Sequence, residues 1–291
     1  MARILIIGGT GFVGSNLVRY FQRTHSVIIA NRSEPPPHVR IEWRQLDITR
    51  RAETMKVIRE IEPEIIINAA GNKDVRYCEK HPTEAFRVNA IGTRYVAKAA
   101  RNVGAKLLYI STDLVFPSKE GAYSEVDIPH SPLVYGRSKA AGEFLAMRET
   151  DNLAICRTAG VYGKNSPLLH WLAGEISAEK SVDCFLDVYN TPTFVDNFAD
   201  MLDSVIKNNL TGLFHTVGRQ RVNRYEFFSL FAHAFNFNHT ILNPVRGGDR
   251  LAEMLLLPDS SLRSELSASR LGVTPDSPAE GFLKLKALGG Y

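Results

Sequence analysis

The chain has 291 residues, 44% of them hydrophobic and 23% charged, with a formal net charge of +4. That balance excludes a disordered or fibrous polymer and leaves one large domain or two unequal ones. The basic residues are scattered instead of forming a stripe, which argues against nucleic acid as a partner. Cys78, Cys156 and Cys184 form no CxxC pair, so neither a disulfide framework nor a metal site is suggested, and reduced, packed thiols are the expectation. No apolar run approaches membrane-spanning length, and Met1-Ala2-Arg3 leads directly into a short strand-like run, so the expected setting is the cytoplasm, without membrane contact.

Apolar runs at 4–7, 27–30, 65–67, 107–110 and 153–156 alternate with stretches of helical spacing at 12–23, 49–60, 82–103 and 135–150. Strands so continuously apolar are buried on both faces, as in a parallel sheet covered by helices. The expected fold is therefore α/β, a doubly wound parallel sheet. Pro82 suits a helix start and Gly104 a helix end. After Cys156 the rhythm weakens and Gly and Pro accumulate, which predicts a smaller, irregular lobe. The expected division is a dinucleotide-binding domain over 1–158, with 190–218 returning to it, and a substrate-binding lobe over 159–189 and 219–291.

The first strand runs into Gly8-Gly9-Thr10-Gly11-Phe12-Val13-Gly14 and then a helix. In that context the glycines carry weight. Gly8 allows a tight turn, Gly11 lets the backbone approach a phosphate and Gly14 lets the helix pack closely, which places a pyrophosphate on a helix N-terminus. A Walker loop is excluded because no Gly-Lys-Ser/Thr follows. The second strand ends in Asn31-Arg32, where an acid would bond the ribose 2′-hydroxyl of NAD. Arg32 either grips a 2′-phosphate or stacks on adenine, favouring NADP over NAD, or it points into water at the head of Pro35-Pro36-Pro37. Asp47-Ile48 either meets the adenine, or Asp47 caps the following helix.

Ser111-Thr112-Asp113 closes the strand at 107–110, on the edge where doubly wound sheets bind ligands. Thr112 is the candidate for holding a substrate carbonyl oxygen. Tyr135 and Lys139 stand four residues apart on one helical face. A phenol titrates near about 10, and a cationic Lys139 beside it is expected to lower that value and make Tyr135 a proton donor at neutral pH.

Taken in order, Gly8 to Gly14, Asn68-Ala69-Ala70-Gly71, Val88-Asn89-Ala90, Ser111 to Phe116, Tyr135 to Lys139, Arg157-Thr158 and Pro192-Thr193 resemble the extended short-chain dehydrogenase/reductases, most closely the dTDP-4-dehydrorhamnose reductase branch. The resemblance implies an NADP-dependent oxidoreductase, with NAD as an alternative, that reduces the C4 ketone of a nucleotide-activated deoxysugar. It implies cofactor binding by Gly8, Thr10, Gly11, Phe12, Val13, Gly14, Asn31, Arg32, Asp47, Ile48, Ala69, Ala70, Gly71, Asn72, Tyr135 and Lys139. Catalysis falls to Thr112, Tyr135 and Lys139, with Asn89 positioning Lys139, and substrate contact to Lys73, Thr112, Asp113 and Gly160. The sugar nucleotide is expected to lie over the cofactor, clamped by the irregular lobe, and homodimers are common among such chains.

Two departures stand against the branch's particular sugar. Gly160 replaces the tryptophan of Arg-Thr-Ser-Trp-Val-Tyr, and Leu257-Pro258-Asp259-Ser260-Ser261 replaces Arg-Pro-x-x-Ser. Leu114 stands where related dehydratases carry a glutamate, which removes half their acid pair. Two other readings stay open: a nucleotide-sugar epimerase, and a non-catalytic regulatory subunit like that of methionine adenosyltransferase.

Overall fold

A computed structural model of the chain describes residues 1–37 and 40–291. Seven strands form one sheet: β1 (Arg3–Ile7), β2 (Ser26–Asn31), β3 (Trp43–Gln45), β4 (Ile65–Asn68), β5 (Lys106–Thr112), β6 (Leu153–Thr158) and β9 (Gly212–His215), in the order β3-β2-β1-β4-β5-β6-β9. The pairs β1–β2, β1–β4, β2–β3 and β4–β5 are all parallel. The continuous apolar runs are the cause. Every residue of β4, β5 and β6 is buried, so helices cover both faces, as parallel strands require. The strand order reverses between β1 and β4, and a crevice opens at the carboxyl ends of such strands.

The chain divides into two compact units. The first comprises Met1–Val115, Pro129–Arg157 and Leu202–Phe214, and the second Phe116–Ile128, Thr158–Met201 and His215–Tyr291. The grouping of Phe116–Ile128 with the second unit is not announced by the strand rhythm. Leu5, Ile7, Ile28, Ile66, Leu107 and Ile155 centre the core of the first unit. The second has an aromatic core, with Tyr162 ringed by Phe194, Phe227 and Phe282 at 4.9–5.7 Å between centroids. Its strands are short: β7 (Val182–Phe185) pairs with β11 (Leu242–Val245), and β8 (Tyr189–Asn190) with β10 (Val222–Asn223).

Helices follow the expected spacing with informative exceptions. α1 is Phe12–Phe21, α2 Arg51–Ile61 and α6 Val134–Glu149. The single helix expected over 82–103 is instead α4 (Pro82–Phe86), a π-helical segment Arg87–Gly92 and α5 (Thr93–Val103), preceded by a separate α3 (Val75–Lys80). Widened turns of this kind recur at functional sites, and this one carries Asn89. Pro82 opens α4 and Gly104 closes α5 at φ 71°, as expected. The three cysteines are buried, and desolvation pushes their thiols up to about 11 for Cys78 and Cys184 and about 12 for Cys156, so they stay neutral. No helix among the described residues is long and apolar enough to cross a membrane.

A buried ion pair ties α6 to β6. Arg157 meets Glu143 through two hydrogen bonds, 3.0 and 2.7 Å, with both side chains almost fully enclosed. Removing one partner strands the other charge, so Glu143→Leu or Arg157→Met lowers unfolding stability by about 3–5 kcal/mol, whereas the double variant Glu143→Leu/Arg157→Met loses less than the two together. Denaturant melts of the four proteins measure the coupling. Strict additivity would contradict it.

Candidate active site

The glycine turn is built on one backbone requirement. Gly8 sits at φ 83°, and a Cβ there would stand 2.9 Å from the Ala70 nitrogen, so no other residue fits. Gly14 answers a different need than helix-to-sheet spacing: its Cβ would meet the Gly8 oxygen at 2.1 Å, so it lets α1 start against the turn itself. A groove of about 630 Å³ opens here. Gly8, Thr10, Gly11, Asn31, Arg32, Asp47, Ile48, Ala69, Ala70, Gly71, Asn72 and Lys73 all line it. Phe12, Val13 and Gly14 are not in its wall; they begin the helix behind it.

Polar chemistry inside the groove is specific. The Asn31 side-chain oxygen accepts from the Thr10 N–H (3.2 Å) and hydroxyl (3.1 Å), while its buried Nδ2 has no partner among the described residues. An amide donor left bare beside a glycine turn fits an acceptor-rich ligand such as a dinucleotide. Arg32 is exposed on the rim, held by its own carbonyl, which accepts from Gln45. Asp47 accepts from the Thr49 N–H (2.9 Å) and hydroxyl (2.7 Å). These bonds, with Arg50 and Arg32 nearby, outweigh desolvation and hold its carboxyl below the usual range; they close a turn ahead of α2, whose N-cap Arg50 carries no side-chain cap bond. Sequence reading missed Ser33, Thr49 and Tyr77, which also line the wall.

Tyr135 and Lys139 stand on the first two turns of α6. Glu79 fixes the start of that helix, accepting from the Val134 N–H at 2.6 Å, where a carboxylate is favoured by the helix dipole. Nothing in the sequence marks Glu79. Lys139 is buried, its Nζ donating to the Ile110 carbonyl at 2.6 Å and lying 4.0 Å above the Tyr109 ring. Burial drives its pKa down to about 7, against a smaller upward pull from Glu143. Tyr135 moves the other way. Desolvation holds its phenol well above the ordinary value, Thr112 pulls it back, and Asp113 and Cys78 raise it further. The expectation that Lys139 lowers the phenol is therefore corrected: the ammonium is turned to Ile110 and Tyr109, and Tyr135 is a firmly protonated acid.

Thr112 and Asp113 are buried at the end of β5, the Thr112 hydroxyl donating to the Asp113 carboxylate at 2.9 Å and accepting from the Leu114 N–H at 3.3 Å. Neighbouring Ser111 has a buried hydroxyl with no partner among the described residues. Asn89 makes no hydrogen bond to Lys139. Its Nδ2 donates to the Ser138 hydroxyl (2.9 Å) and the Asn72 carbonyl (3.0 Å), its Oδ1 accepts from the Asn72 N–H (2.8 Å), and its backbone carbonyl accepts from the Tyr109 phenol (3.2 Å). Lys139 and Asn89 thus both touch Tyr109, one at its ring and the other at its hydroxyl. Gly160 belongs to the second unit, at φ 46°.

The low Lys139 value has a measurable sign. An unfolded lysine keeps its proton to about 10.4, while the folded one releases it near 7. Between those values the unfolded chain binds more protons, so this residue's penalty is full below pH 7 and fades as pH rises. Lys139→Met is accordingly more stable than the parent at pH 6, and the difference shrinks by pH 9.5. Thermal melts of both proteins at the two pH values check this; a gap that stays constant contradicts the desolvated ammonium.

Known proteins resemble this arrangement along most of its length. The dTDP-4-dehydrorhamnose reductase of Aggregatibacter actinomycetemcomitans is 31% identical over 240 residues, spanning 78% of this chain and 77% of that protein. The methionine adenosyltransferase 2 subunit beta of Bos taurus is 28% identical over 259 residues, 84% and 75% of the two chains. A solved dTDP-4-dehydrorhamnose reductase from Bacillus anthracis, in complex with NADP, superposes with a TM-score of 0.89 at 27% identity over 99% of each chain. The family described as RmlD substrate binding domain matches residues 2–276. With that match covering nearly the whole sequence, the chain belongs to the RmlD substrate binding domain family.

Proposed function

We propose that the protein is an NADPH-dependent reductase of the 4-keto group of a nucleotide-activated deoxysugar. The observation that carries this reading is the joint placement, on α6, of a protonated phenol at Tyr135 and a desolvated ammonium at Lys139, linked through Ser138, Asn89 and Asn72 to the glycine-lined groove. The activity of the Aggregatibacter relative and the NADP in the Bacillus structure support it. The reading also carries a cytoplasmic location and a sugar nucleotide as the small-molecule partner.

The groove fits the cofactor: Gly8, Gly11 and Asn31 offer backbone and amide donors at the turn, and Arg32 offers a cation where a 2′-phosphate would be recognised. Bound NADPH supplies a hydride to the carbonyl carbon. Tyr135 then serves as general acid, passing its phenolic proton to the oxygen, and its raised pKa keeps it in the donor form across the neutral range. Once the phenol has given up its proton, a cationic Lys139 would stabilise the phenolate, a rearrangement that needs Lys139 to leave the Ile110 carbonyl. Thr112 orients the ketone oxygen, while Lys73, Asp113 and Gly160 belong to substrate contact in this reading.

A second reading has its own support in the methionine adenosyltransferase beta subunit, a relative over 84% of this chain. Absorbance at the nicotinamide band, with purified protein, NADPH and dTDP- or UDP-linked 4-keto sugars, separates the two. The reductase turns over, and Tyr135→Phe lowers kcat by about 10²–10⁴-fold without loss of NADPH binding. Tight NADPH binding with no turnover on any ketone would favour the regulatory subunit. In the same assay kcat/KM is higher with NADPH than with NADH, and Arg32→Ala lowers that ratio by about tenfold, the scale of one charge-assisted hydrogen bond. A ratio at or below unity in the parent protein would contradict the role given to Arg32.

A further inference from the structure

The second unit holds a cation whose charge the fold leaves unanswered. Arg224 opens α9 (Arg224–Ala234), fixed by its backbone N–H on the Val188 carbonyl at 3.1 Å and by the reciprocal cap of Asn223 and Glu226, 2.8 Å each way. Its guanidinium lies 5.5 Å from the Phe228 ring centroid, and burial pushes its pKa down. Among the described residues no carboxylate is within ion-pair distance of it. Four acids of the same unit have other partners: Glu226 the cap, Asp183 Arg250 at 3.1 Å, Asp187 the Gly247 N–H at 2.9 Å and Asp259 Arg221 at 2.7 Å. A guanidinium keeps its charge under any protein condition, so a desolvated one without a counter-ion calls for an anion from outside.

The place for that anion is beside it. Arg224 faces a cavity of about 90 Å³ whose other walls are Gly160, Leu168, Val188, Asn190, Pro192 and Phe227. Apart from the arginine, Asn190 brings the one polar side chain, and its amide has no hydrogen-bond partner among the described residues. Gly160 keeps the space open: a Cβ at that position would stand 2.7 Å from the Asn190 Nδ2. Two sets of unused donors therefore converge on a small space with apolar walls. Its volume is about that of three liquid waters, enough for one planar carboxylate or one tetrahedral phosphoryl group and too little for a whole diphosphate.

We propose that this cavity is an oxyanion-binding site, in which Arg224 and Asn190 hold a carboxylate or phosphoryl group of the molecule the protein acts on. The identity of that molecule rests on the reading of the chain as a sugar-nucleotide reductase; the site itself does not.

Calorimetric titration tests it without turnover. Inorganic phosphate or acetate binds the full-length protein saturably, with a Kd raised by about tenfold or more in Arg224→Met, and by a smaller factor in Asn190→Ala, while NADPH binds all three proteins equally. The NADPH control reports folding, and Arg224→Lys, which keeps the charge but not the fork, gives an intermediate Kd. Comparing UDP-glucose with UDP-glucuronate identifies the source of the anion. A preference for the glucuronate that disappears in Arg224→Met assigns a sugar carboxylate, and equal binding of both, weakened alike in the variant, assigns a phosphoryl group. Absence of saturable binding by either small anion, or affinities unchanged in Arg224→Met, would overturn the site. Loss of ketone reduction with anion binding intact would instead remove the proposed activity and leave the site standing.

Discussion

Asn89 is the fixed point on which both halves of the candidate active site depend. It is fully buried, and its side-chain hydrogen bonds go to two segments: the Asn72 loop after β4 and the α6 helix through Ser138. A buried amide satisfied on every side is worth most when no alternative partner exists, because breaking one bond leaves a desolvated donor or acceptor behind. The wall of the cofactor groove and the helix bearing Tyr135 are consequently held at one register. The π-helical widening at Arg87–Gly92 is what brings this side chain to its position between them.

Around that point, charge is managed by desolvation more than by pairing. Lys139 sits on an aromatic face with a single carbonyl acceptor, and Glu143, the acid that pulls on it, is engaged by Arg157. Tyr135 is partly buried, and the Asp113 carboxylate adds to the upward push of desolvation on its phenol. Burial therefore drives the two pKa values apart, the lysine downward and the phenol upward, which biases both groups toward their neutral forms. The second unit repeats the pattern in Arg224, a desolvated cation facing a small cavity, whereas Arg221 and Asp259 neutralise one another over the Tyr189 ring.

The sheet was legible because its signal is local. Continuous runs such as Ile4 to Ile7 and Leu107 to Ile110 can be buried only as parallel strands, and the glycine turn between the first strand and its helix admits few other uses. The pairing of Tyr135 with Lys139 was legible for the same reason, since a four-residue spacing places both on one helical face. What escaped is nonlocal. β3 is three residues long with two exposed, and β8 and β10 are pairs of residues fixed by each other, so none has a pattern of its own. Glu79 reaches α6 across 55 positions, and the Tyr109 seat beneath Lys139 depends on a neighbouring strand. The direction of the tyrosine's pKa depended on enclosure, which no spacing rule reports.

Diffraction from crystals grown with NADP is the most direct test of the central claim. The account predicts the Tyr135 oxygen facing the nicotinamide ring, with Lys139 drawn off the Ile110 carbonyl to within about 3 Å of a cofactor ribose hydroxyl. A phenol turned away from the ring, with Lys139 still on Ile110, would contradict it.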